Sequence, residues 1–371
     1  MTDCFLAGPM SDRDVHGVVI GPVPGCPAQL DGHRLAAFAD GAVAHPVPGG
    51  AGVPGVLLTL EEGAFARLDH VMRSLGGQPL SATVQVDGQA QAARVWCGTD
   101  SAGPASAAPD WHPAPALTDA LRAALPDILA LMDHDPARIA RRLVPMLVRA
   151  ASRLRAGTDP APHSLRRQPM PGDVQVQAHR QPYASFFAVE EMDLSFRRFD
   201  GSLSPVVNRA AFISGDAVTL LPYDPRRDRV LLIEQFRPGP FVRGDTNPWS
   251  LEAIAGRIDP GETPEQAGRR EAMEEAGLTP GALLPVAGYY PSPAAKIEYL
   301  YSYVALCDLP DGIEGVFGVE GEAEDIRGHL IPFDRLMALV ASGEVGNGPL
   351  ILSALWLQRE RSSLRETVSP R

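Results

Sequence analysis

IAGRIDPGETPEQAGRREAMEEAGL, residues Ile254 to Leu278, is the stretch on which the reading of the whole chain depends. Thr263 before Pro264, with Gln266 three positions after the threonine, predicts a helix N-terminus. The hydroxyl caps, the proline sits where no backbone donor is needed, and Gln266 completes a capping box. Gly277 predicts the helix end, as the residue that takes the left-handed cap most easily. Inside the helix Glu271, Glu274 and Glu275 lie three and four residues apart and share a face. Like charges at that spacing repel by about 0.2–0.5 kcal/mol per pair. A solvated charged face is the simpler reading of any such trio. A cation site is the other reading, since hard carboxylate oxygens suit Mg²⁺.

The fixed points are Gly256, Glu262, Arg270-Glu271, Glu274-Glu275 and Gly277-Leu278. That spacing, G-x5-E-x7-R-E-U-x-E-E-x-G-U with U a bulky aliphatic, resembles the signature of the Nudix hydrolases. Ala272 stands where a larger aliphatic is usual, a difference of packing and not of chemistry.

Composition sets the frame. A chain of 371 residues, 45% hydrophobic and 21% charged, suggests two globular domains. No apolar run approaches the ~20 residues of a membrane helix, and the start, MTDCFLAGPMSD, lacks the pattern of a signal peptide. A net charge of -12 argues against a nucleic-acid surface. Cys4, Cys26, Cys97 and Cys307 have no metal-site spacing and fit free thiols in a reducing cytoplasm.

Taken in order, residues 1–98 read as a small α/β domain. It comprises a CFLAG strand, a helix in SDRDVHGVVIG, the strand Gly55 to Leu60, a helix through Phe65, Leu68 and Asp69, and a hairpin turning at Asp87-Gly88. This order is similar to the gamma-glutamylcyclotransferase-like fold. Leu6-Ala7-Gly8-Pro9-Met10 occupies the place of that family's Tyr-Gly-Ser/Thr-Leu, and Met72 the place of its acidic catalytic residue. A methionine cannot take a proton, so a non-catalytic domain is expected. Joined to a hydrolase, such a domain resembles bacterial tellurite-resistance proteins.

Residues 99–156 hold a Pro/Ala/Gly-rich linker and two helical patterns, Leu117 to Met132 and Asp135 to Arg155, the second to be kinked by Pro145. Its stripe of Arg138, Arg141, Arg142, Arg149 and Arg153 reads as a solvated face, or else as a docking site for an acidic partner or for the acidic second domain. The Pro-rich residues 157–173 are where the domain boundary is expected. Residues 174–371 then carry strands at Ala184 to Phe196, Val206 to Ile213, Ala217 to Pro222, Arg229 to Phe236, Trp249 to Ala255, Leu284 to Tyr290, Ile297 to Leu306 and His329 to Pro332. Helices follow near Phe333 to Ser342 and Pro349 to Arg359. The expected fold class is α/β, a Nudix α/β/α sandwich with a mixed sheet, preceded by the smaller α/β domain.

Flanking segments, among them LLIEQFR, NPWSLEAIAGRI and YPSPAAKIEYLY, resemble bacterial ADP-ribose pyrophosphatases over nearly all of Phe186 to Arg359. The resemblance implies metal ligands at Glu271, Glu275, Glu324 and the Ala255 carbonyl. It implies participation of Glu274, and an Arg270 that orients Glu262. Glu322, with Glu324 as the fallback, would be the base that deprotonates water, from the glycine-rich acidic loop GIEGVFGVEGEAED. An ordinary acidic surface loop is the other reading of that segment. Arg237 matches a phosphate contact; Arg257, Ser292 and Glu298 match contacts to diphosphate and ribose. Pro293 marks the ADP-ribose class, although Ala294 replaces the usual glycine. Phe186 and Phe187 match adenine-stacking aromatics, or are core rings. Arg209 keeps one position of a dimer-borne adenine site that Ala210 and Ser214 do not complete. The implied reaction is hydrolysis of ADP-ribose, or a related nucleoside diphosphate sugar, to AMP and ribose 5-phosphate with Mg²⁺ or Mn²⁺. The implied assembly is a homodimer built from residues beyond about 175. A non-cleaving ADP-ribose sensor, or hydrolysis of another nucleoside diphosphate derivative, are the alternatives.

Overall fold

A computed structural model describes residues 1–39, 41–98, 114–184, 186–318 and 325–367. These residues divide into two compact units, Met1–Ile213 and Ser214–Arg371.

In the first unit, strands Thr2–Ala7, Val53–Leu60, Gly25–Leu30, Gln78–Val86 and Gln89–Cys97 close into a barrel in that order. Its interior is filled by Phe5, Leu30, Leu57, Val84 and Val95, among others. A second apolar cluster joins the outside of the barrel to helices Arg13–Ile20, Glu62–Ser74, Pro115–Leu129 and Leu143–Thr158, and it includes Met72 and Trp96. Strands Gly25–Leu30, His33–Phe38 and Val43–Pro48 were not foreseen, because prolines and alanines interrupt their alternation.

Several expectations need correction. Pro145 does not kink a continuous helix. The chain forms a short helix Pro136–Ala140 and restarts at Leu143, so that Pro145 falls in a first turn. There its missing N–H leaves no bond unmade. The arginine stripe is not uniformly solvated either. Arg149 is 1% exposed, Arg142 donates to the Ala184 carbonyl, and Arg153 pairs with Asp127 and Glu190. Those contacts tie the Leu143–Thr158 helix to the antiparallel strands Val174–Ala184, Ala188–Phe196 and Val207–Ile213. The break between the units accordingly falls after Ile213, and residues 157–173 lie inside the first unit. The expected Ala184–Phe196 strand begins at Ala188, after Val174–Ala184 has ended.

In the second unit a mixed sheet runs Leu283–Tyr289, Leu300–Leu306, Ala217–Asp224, Arg229–Phe236, Ile326–Pro332, Val316–Phe317. Ala217–Asp224 and Leu300–Leu306 are parallel; the other neighbours are antiparallel. The predicted Trp249–Ala255 strand is two strands. Trp249–Glu252 pairs with Arg229–Phe236, and Ile254–Arg257 pairs with Ala217–Asp224. The switch of partner at Ala253 swings the chain across the sheet and delivers it to the Pro264–Ala276 helix. Leu220, Leu231, Ile233 and Ile254 pack against Ala272 and Ala276 of that helix. On the opposite face Leu221, Tyr223, Leu232 and Val304 pack against Phe333–Ser342 and Gly348–Glu366. Ala272 is fully buried between helix and sheet, so the small residue sets a close approach. Among the described residues no helix is long and apolar enough to cross a membrane.

Candidate active site

The Pro264–Ala276 helix starts and stops on the predicted chemistry. Gln266 N donates to Thr263 Oγ1 at 3.2 Å and Thr263 N to Gln266 Oε1 at 2.8 Å. Gly277 ends the helix at φ 62°, donating to the Met273 carbonyl, while Leu278 N reaches the Ala272 carbonyl.

Arg270 gathers the carboxylates. Its Nε and Nη2 hold both oxygens of Glu262 at 2.9 and 3.0 Å. Its Nη1 donates to Glu271 Oε1 at 2.8 Å and to Glu274 Oε2 at 2.9 Å, and Nη2 also reaches the Arg257 carbonyl at 3.0 Å. One planar cation thus offsets the repulsion among acids that the helix forces together. Burial alone would push the Glu262 carboxyl up, but the Arg270 guanidinium outweighs it and holds the group below the usual carboxylate range. Burial likewise works against the charged Arg270, and its carboxylate partners more than offset that.

Two more contacts hold Glu275 and Glu271 against the sheet. Glu275, 3% exposed, accepts from Ala255 N at 3.0 Å through Oε2. Glu271 lies over Gly256 so closely that a Cβ there would stand 1.7 Å from Oε1. Among the described residues no three acidic, His or Cys side chains already surround one point. The donors fit a divalent cation by chemistry. They are hard carboxylate oxygens, held against Ala255 and Gly256 and balanced by the Arg270 guanidinium.

Further along the unit, Arg257 donates to the Gly215 carbonyl at 2.7 Å and lies 3.5 Å from Glu298 Oε1. Burial holds its pKa below the usual arginine value. Glu298, 8% exposed, also accepts from Ser214 Oγ at 3.0 Å and Lys296 Nζ at 2.6 Å. Ser292 and Pro293 are exposed, and the Ser292 carbonyl accepts from Ala295 N and Lys296 N, closing the turn before Glu298. Arg237 is bound bidentately by Glu252. Phe186, Phe187 and Arg209 belong to the first unit. Phe186 is 63% exposed with its ring edge-on to Phe187, which contacts Phe212 at 4.8 Å, and Arg209 is exposed. Glu322 and Glu324 lie outside the described residues. Glu252 and Ser214 were missed in the sequence. An acid inside the apolar run WSLEAIAG was the available signal for Glu252; nothing marked Ser214 as a partner of Glu298.

The NUDIX domain model matches residues 214–352, starting where the second unit starts. The ADP-ribose pyrophosphatase of Escherichia coli (strain K12) is 36% identical over 193 residues, which cover 52% of this chain and 91% of that protein. The chain belongs to the Nudix family. The Haemophilus influenzae ADP-ribose pyrophosphatase is 30% identical over 53% of this Nudix chain and 90% of its own length. The GDP-mannose pyrophosphatase of Salmonella choleraesuis is 32% identical over 40% and 77%.

Proposed function

We propose that this Nudix protein hydrolyses the diphosphate of ADP-ribose to AMP and ribose 5-phosphate. The relatives named for that activity support the reading, and so does the carboxylate cluster that Arg270 holds against Ala255 and Gly256. Glu271, Glu275, Glu324 and the Ala255 carbonyl would hold Mg²⁺. When bound, the ion supplies positive charge to the diphosphate oxygens and acidity to water. Glu322 accepts a proton from the attacking water, the new O–P bond forms, and the bridging P–O bond breaks. Glu324 is the fallback for that role. Glu262 keeps Arg270 in place, and Arg270 keeps Glu271 and Glu274 aligned. Arg237 and Arg257 contact phosphate oxygens, with Ser292, Pro293 and Glu298 on the ribose side. Phe186, Phe187 and Arg209 form an adenine site in a homodimer, to which the edge strand Val174–Ala184 brings the exposed Val174, Val176 and Tyr183.

The first unit is proposed as a non-catalytic cyclotransferase-like domain, supported by Met72, a core residue 4% exposed, and by the filled barrel. Four free cysteines suit a cytoplasmic protein. Hydrolysis of another nucleoside diphosphate sugar is the second reading, favoured by the GDP-mannose pyrophosphatase relatives. Product analysis across nucleoside diphosphate sugars with Mg²⁺ separates the two. AMP and ribose 5-phosphate formed in equal amounts, with the highest kcat/KM on ADP-ribose, supports the first. Preference for GDP-mannose supports the second.

A further inference from the structure

Arg237 and Glu252 meet across two antiparallel strands. The register sets Ile233 opposite Glu252, Gln235 opposite Ser250 and Phe236 opposite Trp249. Alternation places Ile233, Gln235 and Arg237 on one face, together with Glu252. Ile233 and Ile254 of that face pack in one cluster with Ala272 of the glutamate helix. Two and four residues beyond Glu252 come Ile254 and Gly256, the glycine beneath Glu271. The Arg237–Glu252 pair therefore stands on the same side of the sheet as the box carboxylates.

Its geometry is a fork. Arg237 Nε donates to Glu252 Oε1 at 3.1 Å and Nη2 to Oε2 at 2.7 Å, with Glu252 6% exposed. A buried carboxylate needs a cation, and two parallel charge-assisted bonds fix the plane of the guanidinium as well as its position. Arg257 feels the Arg237 charge as a repulsion, so the two cations need separate anchors, Glu252 for one and Glu298 for the other. Between the ends of the Arg237–Glu252 pair lies the Gln235 rung. Gln235 is 6% exposed, and its Nε2 is buried with no hydrogen-bond partner. A buried donor without an acceptor is unfavourable and marks a place where an acceptor is expected.

We infer that Glu252 is a positioning residue for diphosphate binding. It holds the Arg237 guanidinium in the plane and on the face from which an anionic phosphate oxygen is received, beside the Gln235 amide that such an oxygen would satisfy. The inference rests on the reading of the site as a diphosphate hydrolase. Glu252 touches no reacting atom; it acts through Arg237.

A double-mutant cycle in the full-length protein, with ADP-ribose and Mg²⁺, tests this. Glu252→Gln keeps the shape and removes the charge. It is expected to raise KM by at least about tenfold while kcat falls less than about threefold, the pattern of a lost ground-state contact. Because Glu252 works through Arg237, Glu252→Gln/Arg237→Lys should have a kcat/KM within about threefold of Arg237→Lys alone. Losses that multiply, or a KM unchanged in Glu252→Gln, overturn the inference. Should Glu252→Gln fail to fold, Glu252→Asp enters the same cycle, with the same non-additivity expected. Wild-type protein that leaves ADP-ribose intact removes the underlying reading. Wild-type turnover with multiplicative losses removes this inference alone.

Discussion

Gly256 lies directly beneath the Glu271 carboxylate: a methyl group on its Cα would stand 1.7 Å from Oε1 and 2.0 Å from Cδ. A glycine is needed there for space, since the backbone takes no left-handed conformation at this position. Gly256→Ala must push the Glu271 side chain out of its cradle. The expected result is a folded protein whose kcat falls at least about a hundredfold, a barrier increase of about 2.7 kcal/mol. Steady-state kinetics beside circular dichroism checks both parts. Wild-type turnover in the alanine variant would show that Glu271 works from elsewhere.

Arg270 is a cation that Glu262, Glu271 and Glu274 share. Lysine keeps the charge but has three donors on one nitrogen, so it cannot reproduce the five bonds that the planar guanidinium makes. Arg270→Lys is expected to lower kcat by about tenfold or more and to lower the melting temperature, because acids on neighbouring turns lose their screen. Differential scanning calorimetry and kinetics on one preparation test the pair of effects.

Much of this site could be read from residue spacing, because it is local. The caps at Thr263 and Gly277 and the one-face glutamates follow from helix geometry alone. The same locality explains what was missed. Glu252 is bonded to Arg237, fifteen residues away, and Ser214 to Glu298, eighty-four residues away. Pairings of that kind depend on strand register, which side-chain patterning alone did not give. Arg149 illustrates the opposite failure. Its helical spacing grouped it with four other arginines, yet packing buries it while Arg138 stays exposed.

Glu322 and Glu324 carry a separable prediction. If Glu322 is the base and Glu324 a metal ligand, Glu322→Gln should lower kcat about a hundredfold or more with an unchanged Mg²⁺ requirement. Glu324→Gln should shift the half-saturating Mg²⁺ upward. Magnesium titrations of both variants decide the assignment; reversed behaviour would exchange the two roles.

Asp228 closes the C-terminal helix onto the strand turn. It accepts from Tyr223 Oη and Arg361 Nε, both at 2.9 Å, and from Arg365 Nη1 at 2.6 Å. Burial tends to raise its pKa, but Arg361, Tyr223 and Arg365 prevail and hold it below the usual carboxylate range. The stabilisation is fully present above the unfolded value, about 3.9, and is lost as pH falls through the lower folded value. Asp228→Asn tolerates the positive φ of 56° at this position and should cost about 1–2 kcal/mol at pH 7 after screening. The gap between variant and wild type should close as pH falls below the unfolded value and through the lower folded one, as urea unfolding across pH would show.

The glutamate face of the Pro264–Ala276 helix is proposed to be a metal-dependent hydrolytic site. Turnover of ADP-ribose by Glu275→Gln, measured with saturating Mg²⁺ beside its thermal melt, tests it most directly. Glu275 is tied to Ala255 N by one hydrogen bond that a glutamine oxygen can keep, so the fold should persist while kcat falls by a factor on the order of 10³. A folded Glu275→Gln protein with wild-type kcat would show that Glu275 holds no catalytic metal.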